Sequence, residues 1–356
     1  MLGAFYYLWY GRPTLPVMGG GIWKGGYTNR PVLGEYDSRD NRVISQHIDW
    51  AKEAGIDFFI VNWANAGSWD DITLREFYLK NPKSSEIKFC IHYDSSLTLN
   101  KITTERSYDY DFNDEYSPSK TKGEKFLEDF DYLADNYFNL PQYFKINGKP
   151  VVYIYNVSSF RNISQYFDRL KEKMENRGIK LFLIADVVCW AGAKITKHNL
   201  SFLWNTSPSQ VFKTISRAIG RLSLKKYEND FSLSKYFQGI SGYNMYSQNR
   251  TAGFLENIDA LYKKFKDYAK NYNLIFIPNI MPGYDDRKSR DLKRLTIDRD
   301  DGEFYRRFIE IAKKHTDSSF PVVFITSFNE WHEGTEIEPS KEYGQKYIEL
   351  TKTINT

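Results

Sequence analysis

The chain has 356 residues, 41% of them hydrophobic, and its 49 basic and 45 acidic residues leave a net charge of +4. That length allows a large core, and because the basic residues are dispersed and build no polybasic arm, nucleic acid is not the expected partner. No long uncharged apolar run indicates a membrane span. The aromatic share of 17% is high, which suits both an ordinary large core and stacking on sugar rings and does not decide between them.

Residues 2–10 read as a strand that ends in the cluster Tyr6, Tyr7, Leu8, Trp9 and Tyr10, ahead of Gly11 and Pro13. A start on a strand, with neither a basic leader nor a small-residue cleavage site, predicts no signal peptide and a cytoplasmic location. The glycines Gly19, Gly20, Gly21, Gly25 and Gly26 surround Trp23 without the Lys-Ser/Thr ending of a phosphate loop, so this segment reads as a rim. Asp37, Ser38 and Asp40 are candidate caps for a helix with Val43, Ile44, Ile48, Trp50 and Ala51 on its apolar side, running to Gly55. Residues 56–63 form a near-continuous apolar strand of the kind buried on both faces in parallel sheets.

The alternation then repeats. The pattern predicts a helix over 71–79, a strand over 87–93, a polar surface excursion over 101–122, a helix over 124–138, a strand over 151–155, a helix over 163–177 and a strand over 179–185. Within 188–237 only helical stretches at 210–222 and 233–237 stand out. Beyond it come a strand at 239–243, a helix at 254–271, a strand at 274–279, a helix at 303–315, a strand at 320–326 and a last helix at 341–352. Eight strands alternating with helices predict an α/β fold, a single (β/α)8 TIM-type barrel with extended loops forming one catalytic domain over 1–356. The alternative, a doubly wound open sheet, lacks its early glycine fingerprint. Cys90 and Cys189 lie in or just after apolar runs and read as buried free thiols, with a bridge between them left open.

Such a barrel gathers the polar residues at its strand ends onto one face. These are Tyr7, Trp9, Tyr10, Asn62, Trp63, His92, Asp94, Tyr155, Asn156, Asp186, Tyr243 and Asn279, and after the eighth strand Asn329, Glu330 and Glu333. Acids, amides and aromatics without a basic cradle fit sugar chemistry better than phosphate chemistry. Glu330 and Glu333, flanking Trp331 in SFNEWHEGTEIEP, are the candidate acid and base, against the plainer reading of a solvated acidic loop. His332 sits between them, but His47, His92, His198 and His315 are scattered without paired ligand spacing, so no metal and no cofactor are expected. Glu336 and Glu338 read as rim or loop tethers, and Asp285 and Asp286 as partners of Arg287 and Arg290; Trp23 and Trp190 are candidate sugar platforms.

Five segments, AFYYLWYG, GEYDSRD with IDWAKEAGIDFFIVNW, KPVVYIYN, PGYDDRKSR and SFNEWHEGTEIEP, occur in an order that makes nearly the whole chain resemble glycoside hydrolase family 99, the endo-α-mannosidases, and related barrels of polysaccharide biosynthesis. The resemblance implies a (β/α)8 barrel acting on an oligosaccharide or polysaccharide by endo-acting, retaining hydrolysis. In it Glu330 would be the base that lets the substrate 2-hydroxyl attack its own anomeric carbon, giving a 1,2-anhydro sugar. Glu333 would protonate the leaving oxygen and later activate water, a route unlike direct attack by a carboxylate. Placement and resemblance together give a substrate-binding set of Tyr7, Trp9, Tyr10, Trp63, His92, Asp94, Tyr155, Tyr243, Asn329 and Trp331. Two departures touch the glycone side: Trp63 is followed by Ala64 and Asn65 where the family has a second aromatic, and Asp94 stands where it has Glu. The resemblance therefore carries hydrolysis further than it carries mannose. A glycosyl-transferring barrel of surface-polysaccharide assembly is the alternative enzyme; a non-catalytic carbohydrate-binding barrel is argued against by the presence of both acids. Oligomeric state is left open.

Overall fold

The computed structural model describes residues 1–13, 22–100, 110–187, 233–243, 245, 253–289 and 296–355. The expected helix at 210–222, together with Gly19 to Gly21, Cys189, Trp190, His198 and Arg290, lies outside these residues. Eight parallel strands make the barrel: β1 (Leu2–Tyr6), β2 (Phe58–Trp63), β3 (Lys88–Tyr93), β4 (Lys149–Ile154), β5 (Phe182–Asp186), β6 (Gly239–Ser241), β7 in two pieces (Ile275–Phe276 and Asn279–Ile280) and β8 (Val323–Ile325). The register runs Gly3↔Phe58, Phe58↔Lys88, His92↔Tyr153, Tyr153↔Ile184, Ile184↔Gly239 and Gly239↔Ile275. Asn279↔Phe324 and Leu2↔Val323 complete the round. Ile277 N–H donates to Ile240 at 2.9 Å and the Pro278 carbonyl accepts from Phe324 at 2.9 Å, so the continuous chain of β7 closes the ring. Pro278 has no N–H to give, which accounts for the gap between the two pieces.

The helices are α1 (Asn41–Glu53), α2 (Trp69–Thr73), α3 (Lys122–Asn136), α4 (Ser164–Asn176), α5 (Phe254–Asn271), α6 (Glu303–His315) and α7 (Lys346–Lys352), close to the apolar periodicity except that α7, expected from 341, starts at Lys346. Asp40 caps α1 by accepting from Arg42 N–H, and Thr121 with Glu124 forms a reciprocal capping box on α3. Two differences from expectation have local causes. The helix expected over 71–79 begins at Trp69 and widens into a π-turn over Leu74–Tyr78. The stretch expected as a polar surface excursion contains Tyr110 and Phe112, both fully buried, with Phe112 packed 5.2 Å from Phe126 and 5.0 Å from Phe160; its YDYDF alternation is that of a half-buried strand. Cys90 is a buried free thiol. No helix among the described residues is long and apolar enough to cross a membrane.

The barrel interior is aromatic. Phe5 has no solvent exposure and meets His92, Tyr153, Tyr243 and Phe324 edge-on at 5.2, 4.9, 4.8 and 6.1 Å. Beneath it Gly3 leaves room for Phe58, whose ring would lie 2.5 Å from a Cβ at that position. This layer is the floor on which the strand-end residues stand. Phe5→Ala opens a cavity under them and should cost about 3–5 kcal/mol, read as a lower denaturant midpoint at unchanged slope; a loss near zero would show that the interior is not packed on this ring.

Candidate active site

The segment after β8 is built to leave the barrel sharply and come back. Asn329 holds it to β1: its Oδ1 accepts from Tyr7 N–H at 2.8 Å and its Nδ2 donates to the Tyr7 carbonyl at 2.9 Å. Tyr10 adds a second pin, its hydroxyl donating to the Asn329 carbonyl at 2.8 Å and accepting from Trp331 N–H at 3.0 Å. Trp331 is fully buried, its indole N–H shared between Glu338 at 3.0 Å and the Tyr36 hydroxyl at 3.2 Å. Ser327 Oγ accepts from Glu330 N–H at 2.7 Å, and the Glu333 carbonyl accepts from Asp285 N–H at 2.8 Å. Gly334 turns at φ +60°, with Asp285 backbone 3.0 Å from where a Cβ would sit, so this position requires glycine.

On this frame the two acids have different company. Glu330 Oε1 accepts from His332 N–H at 3.1 Å and faces His332 Nδ1 at 3.3 Å, while His332 Nε2 reaches the Ile22 carbonyl at 2.9 Å. Burial opposes a charge on His332, but the Glu330 hydrogen bond and the Ile22 carbonyl outweigh it and hold the imidazole above its usual value. Glu333 Oε2 receives the Tyr243 hydroxyl at 3.4 Å, and the Tyr7 hydroxyl donates to that of Tyr243 at 2.6 Å. Burial, reinforced by Glu330 and Glu333, holds the Tyr7 phenol well above its ordinary value, so it stays a donor.

The remaining predicted residues divide by which way they face. Trp9 is half-buried with its ring 4.4 Å from that of Tyr7. His92 lies against Tyr243 at 6.0 Å and against half-buried Tyr155 at 5.7 Å, and burial pushes it down to about 3, so it is neutral. Asp94 caps the short helix Ser95–Thr98 through Ser96. These stand with Tyr7, Tyr243 and the two acids at the barrel mouth. Tyr10, Asn329 and Trp331 are placed behind the acids as supports. Trp63 points outward from β2, fully buried beside Tyr93 and Tyr132, with its indole N–H on Asp71 at 2.9 Å. Trp23 packs on Tyr10 at 4.3 Å.

Glu336 and Glu338 are tethers, though buried rather than at a rim. Glu338 meets His47 Nε2 at 3.1 Å and the Tyr36 hydroxyl at 2.8 Å. Glu336 accepts from Asn29 at 2.7 Å and from Arg299 at 2.6 Å, and the same Arg299 nitrogen donates to the Gly334 carbonyl at 3.1 Å. Asp285 pairs with Arg287 at 2.9 and 2.8 Å, and Asp286 accepts from Tyr284 at 2.6 Å. Arg299 and Tyr36 are the supports that sequence reasoning missed: Tyr36 sits inside the GEYDSRD segment, whereas nothing around Arg299 marks it. Among the described residues no group of three or more His, Cys, Asp and Glu is set to hold a metal ion.

Residues 28–351 match a family model described as glycosyltransferase WbsX. The chain belongs to this family. It is also 26% identical over 397 residues to the mouse glycoprotein endo-alpha-1,2-mannosidase-like protein, spanning 99% of this chain and 75% of that protein. The mouse glycoprotein endo-alpha-1,2-mannosidase is 24% identical over 368 residues, spanning 95% and 67%. Among solved structures, the family 99 endo-α-mannosidase of Bacteroides thetaiotaomicron with bound bis-tris-propane superposes with a TM-score of 0.66 at 22% identity, covering 99% of this chain and 96% of that one. This WbsX member is thus a glycoside-hydrolase-like enzyme of the family 99 type, on the barrel that its sequence predicts.

Burial pushes Glu336 up to about 7, with Arg299 and Asn29 pulling the other way. A carboxyl raised in the folded state contributes stability below its unfolded value near 4.5 and loses it as the pH rises through about 7. Glu336→Gln should therefore flatten the stability slope between roughly pH 5 and 7, so that the variant's cost relative to the wild type is smaller at pH 8 than at pH 5. Unfolding curves across that range check both; persistence of the slope in the variant would remove Glu336 as its source.

Proposed function

We propose that this protein is an endo-acting, retaining glycosidase of the endo-α-mannosidase kind, working on an oligosaccharide or polysaccharide. The observation that supports it is the pair Glu330 and Glu333: two buried carboxyls three residues apart, one beside a raised imidazole and the other under a pair of tyrosine hydroxyls. Unlike surroundings are what separate acid from base.

In the first step Glu330 accepts the proton of the substrate 2-hydroxyl while that oxygen attacks the anomeric carbon. Glu333 gives its proton to the glycosidic oxygen, and the leaving sugar departs. In the second step Glu333, now a carboxylate, takes a proton from water as the water oxygen attacks the same carbon, and Glu330 returns its proton to the sugar oxygen as the three-membered ring opens. Two displacements at one carbon leave its configuration unchanged. The Tyr7 and Tyr243 hydroxyls stand beside Glu333 to orient it, and half-buried Trp9 offers a ring face for a pyranose. The names of the mammalian relatives favour an α-mannoside. Asp94 and the Ala64-Asn65 pair, the two departures from the family pattern, would decide which sugar is accepted.

A second reading, glycosyl transfer, is favoured by the description of the WbsX family. It uses the same residues, with an acceptor hydroxyl in place of water in the second step.

Proton NMR of the anomeric region, during cleavage of α-linked mannose and glucose oligosaccharides with and without a sugar acceptor, separates these readings. An α-product appearing first supports retaining hydrolysis; a β-product appearing first would end it, and product formed only with acceptor would establish transfer. Glu333→Gln should lose at least ~10²-fold on natural linkages and much less on substrates with an activated leaving group. Equal loss on both would take the acid role away from Glu333.

A further inference from the structure

His332 lies between the two acids, yet neither step above uses it. Its Nε2 is 2.9 Å from the Ile22 carbonyl, which can only accept, so Nε2 carries a proton. Its Nδ1 is 3.3 Å from Glu330 Oε1, and an ionised carboxylate also only accepts. A neutral ring with its proton on Nε2 would set the Nδ1 lone pair against carboxylate lone pairs. A doubly protonated ring satisfies both contacts. Tyr10 covers the ring face in parallel, 5.9 Å away at an interplanar angle of 4°.

The groups around the ring agree with a cation. From its own loop it faces the Glu330 and Glu333 carboxylates, both of which raise it. From the loop after β1 it faces Tyr10, whose buried phenol is held protonated, and from the 22–25 turn the Ile22 carbonyl. From the segment after β7 the Ser289 hydroxyl binds the His332 carbonyl at 2.9 Å, and Asp285 is paired with Arg287.

We infer that His332 is the positioning residue of Glu330: an imidazolium that holds Oε1 and leaves Oε2 as the oxygen that takes and returns the substrate proton. Glu330 Oε1 has two donors from His332, the backbone N–H at 3.1 Å and Nδ1 at 3.3 Å, and both come from the same side. The cation keeps Glu330 ionised before the first step. Once Glu330 is protonated, the adjacent positive charge favours handing the proton back, which is what the second step needs. This inference rests on Glu330 being the base in the reading above.

Two readouts test it. The first needs no substrate: ring nitrogen NMR of histidine-labelled protein across the neutral and alkaline range, in a chain with 5 histidines, the His332 signals being assigned by their loss in His332→Asn. Both ring nitrogens should be protonated at neutral pH with a midpoint above the ordinary value of about 6.5, and Glu330→Gln should lower that midpoint by roughly one unit or more. A ring that is already neutral at about pH 6, or a midpoint that Glu330→Gln leaves in place, would overturn the proposal.

The second readout is the pH profile of turnover. His332→Asn places an amide donor near the Nδ1 position and does not titrate, so it should retain measurable kcat and move the wild-type alkaline limb to the position that Glu333, as the acid, sets without a neighbouring cation. His332→Ala should lower kcat by about 10²-fold with KM little changed. An unaltered alkaline limb in His332→Asn would sink the positioning role. Failure of the wild-type enzyme to cleave any glycan would instead count against the hydrolase reading, and the NMR result would still decide the ionisation of His332.

Discussion

One side chain stands in for a strand. The regular ladder of β1 with β8 runs to Ala4↔Ile325, Phe328 N–H still reaches the Phe5 carbonyl at 2.8 Å, and beyond that the Asn329 amide gives to and takes from the Tyr7 main chain as a ladder partner would. Because a buried amide and a buried peptide satisfy each other, the main chain from 330 onward is free to turn without leaving β1 unpaired. The Tyr10 hydroxyl, between the Asn329 carbonyl and Trp331 N–H, then fixes how far it turns. The placement of both acids follows from these four hydrogen bonds.

Four glutamates are buried within the nine residues from Glu330 to Glu338, and two of them, Glu336 and Glu338, anchor the loop that carries the proposed acid and base. Glu336 has a guanidinium and an amide, and Glu338 has an imidazole, a phenol and an indole N–H. Such carboxylates are held fast, and removing a partner leaves an expensive buried charge. Glu330 takes the His332 N–H and faces His332 Nδ1 through one oxygen, and Glu333 receives the Tyr243 hydroxyl.

The barrel was legible because its signals are local. Continuous apolar runs at β2 and β3 and the apolar periodicity of α1, α5 and α6 each name an element from neighbouring residues alone, and the bounds of α5 and α6 match the sequence reading. Glu330 and Glu333 stand out in the sequence as candidates through their position after the last strand. Facing was less so. Trp63 ends β2 like a site residue, but the two-residue period of the strand sends it outward while Asn62, in register with His92, shares the inner face. Arg299 could not be found from sequence, since its importance comes from carbonyls 35 and 37 residues away. The buried Tyr110 and Phe112 were hidden by Asp111 between them and by the polar residues around them.

The partners that frame the acids are 319 to 322 residues apart along the chain: Tyr7 and Tyr10 near its beginning, Asn329 and Trp331 near its end. Contacts 319 or more residues apart close a very long loop, so they form only after the chain between them has been ordered. A ribosome making this protein will have released β1 through β7 before the residues that complete the mouth have left the tunnel. Until then β1 has one barrel neighbour and an open edge, exposed to pairing with other chains. Closing the ring and seating the loop that carries Glu330 and Glu333 are the same event, so the open edge of β1 is covered only when that loop folds.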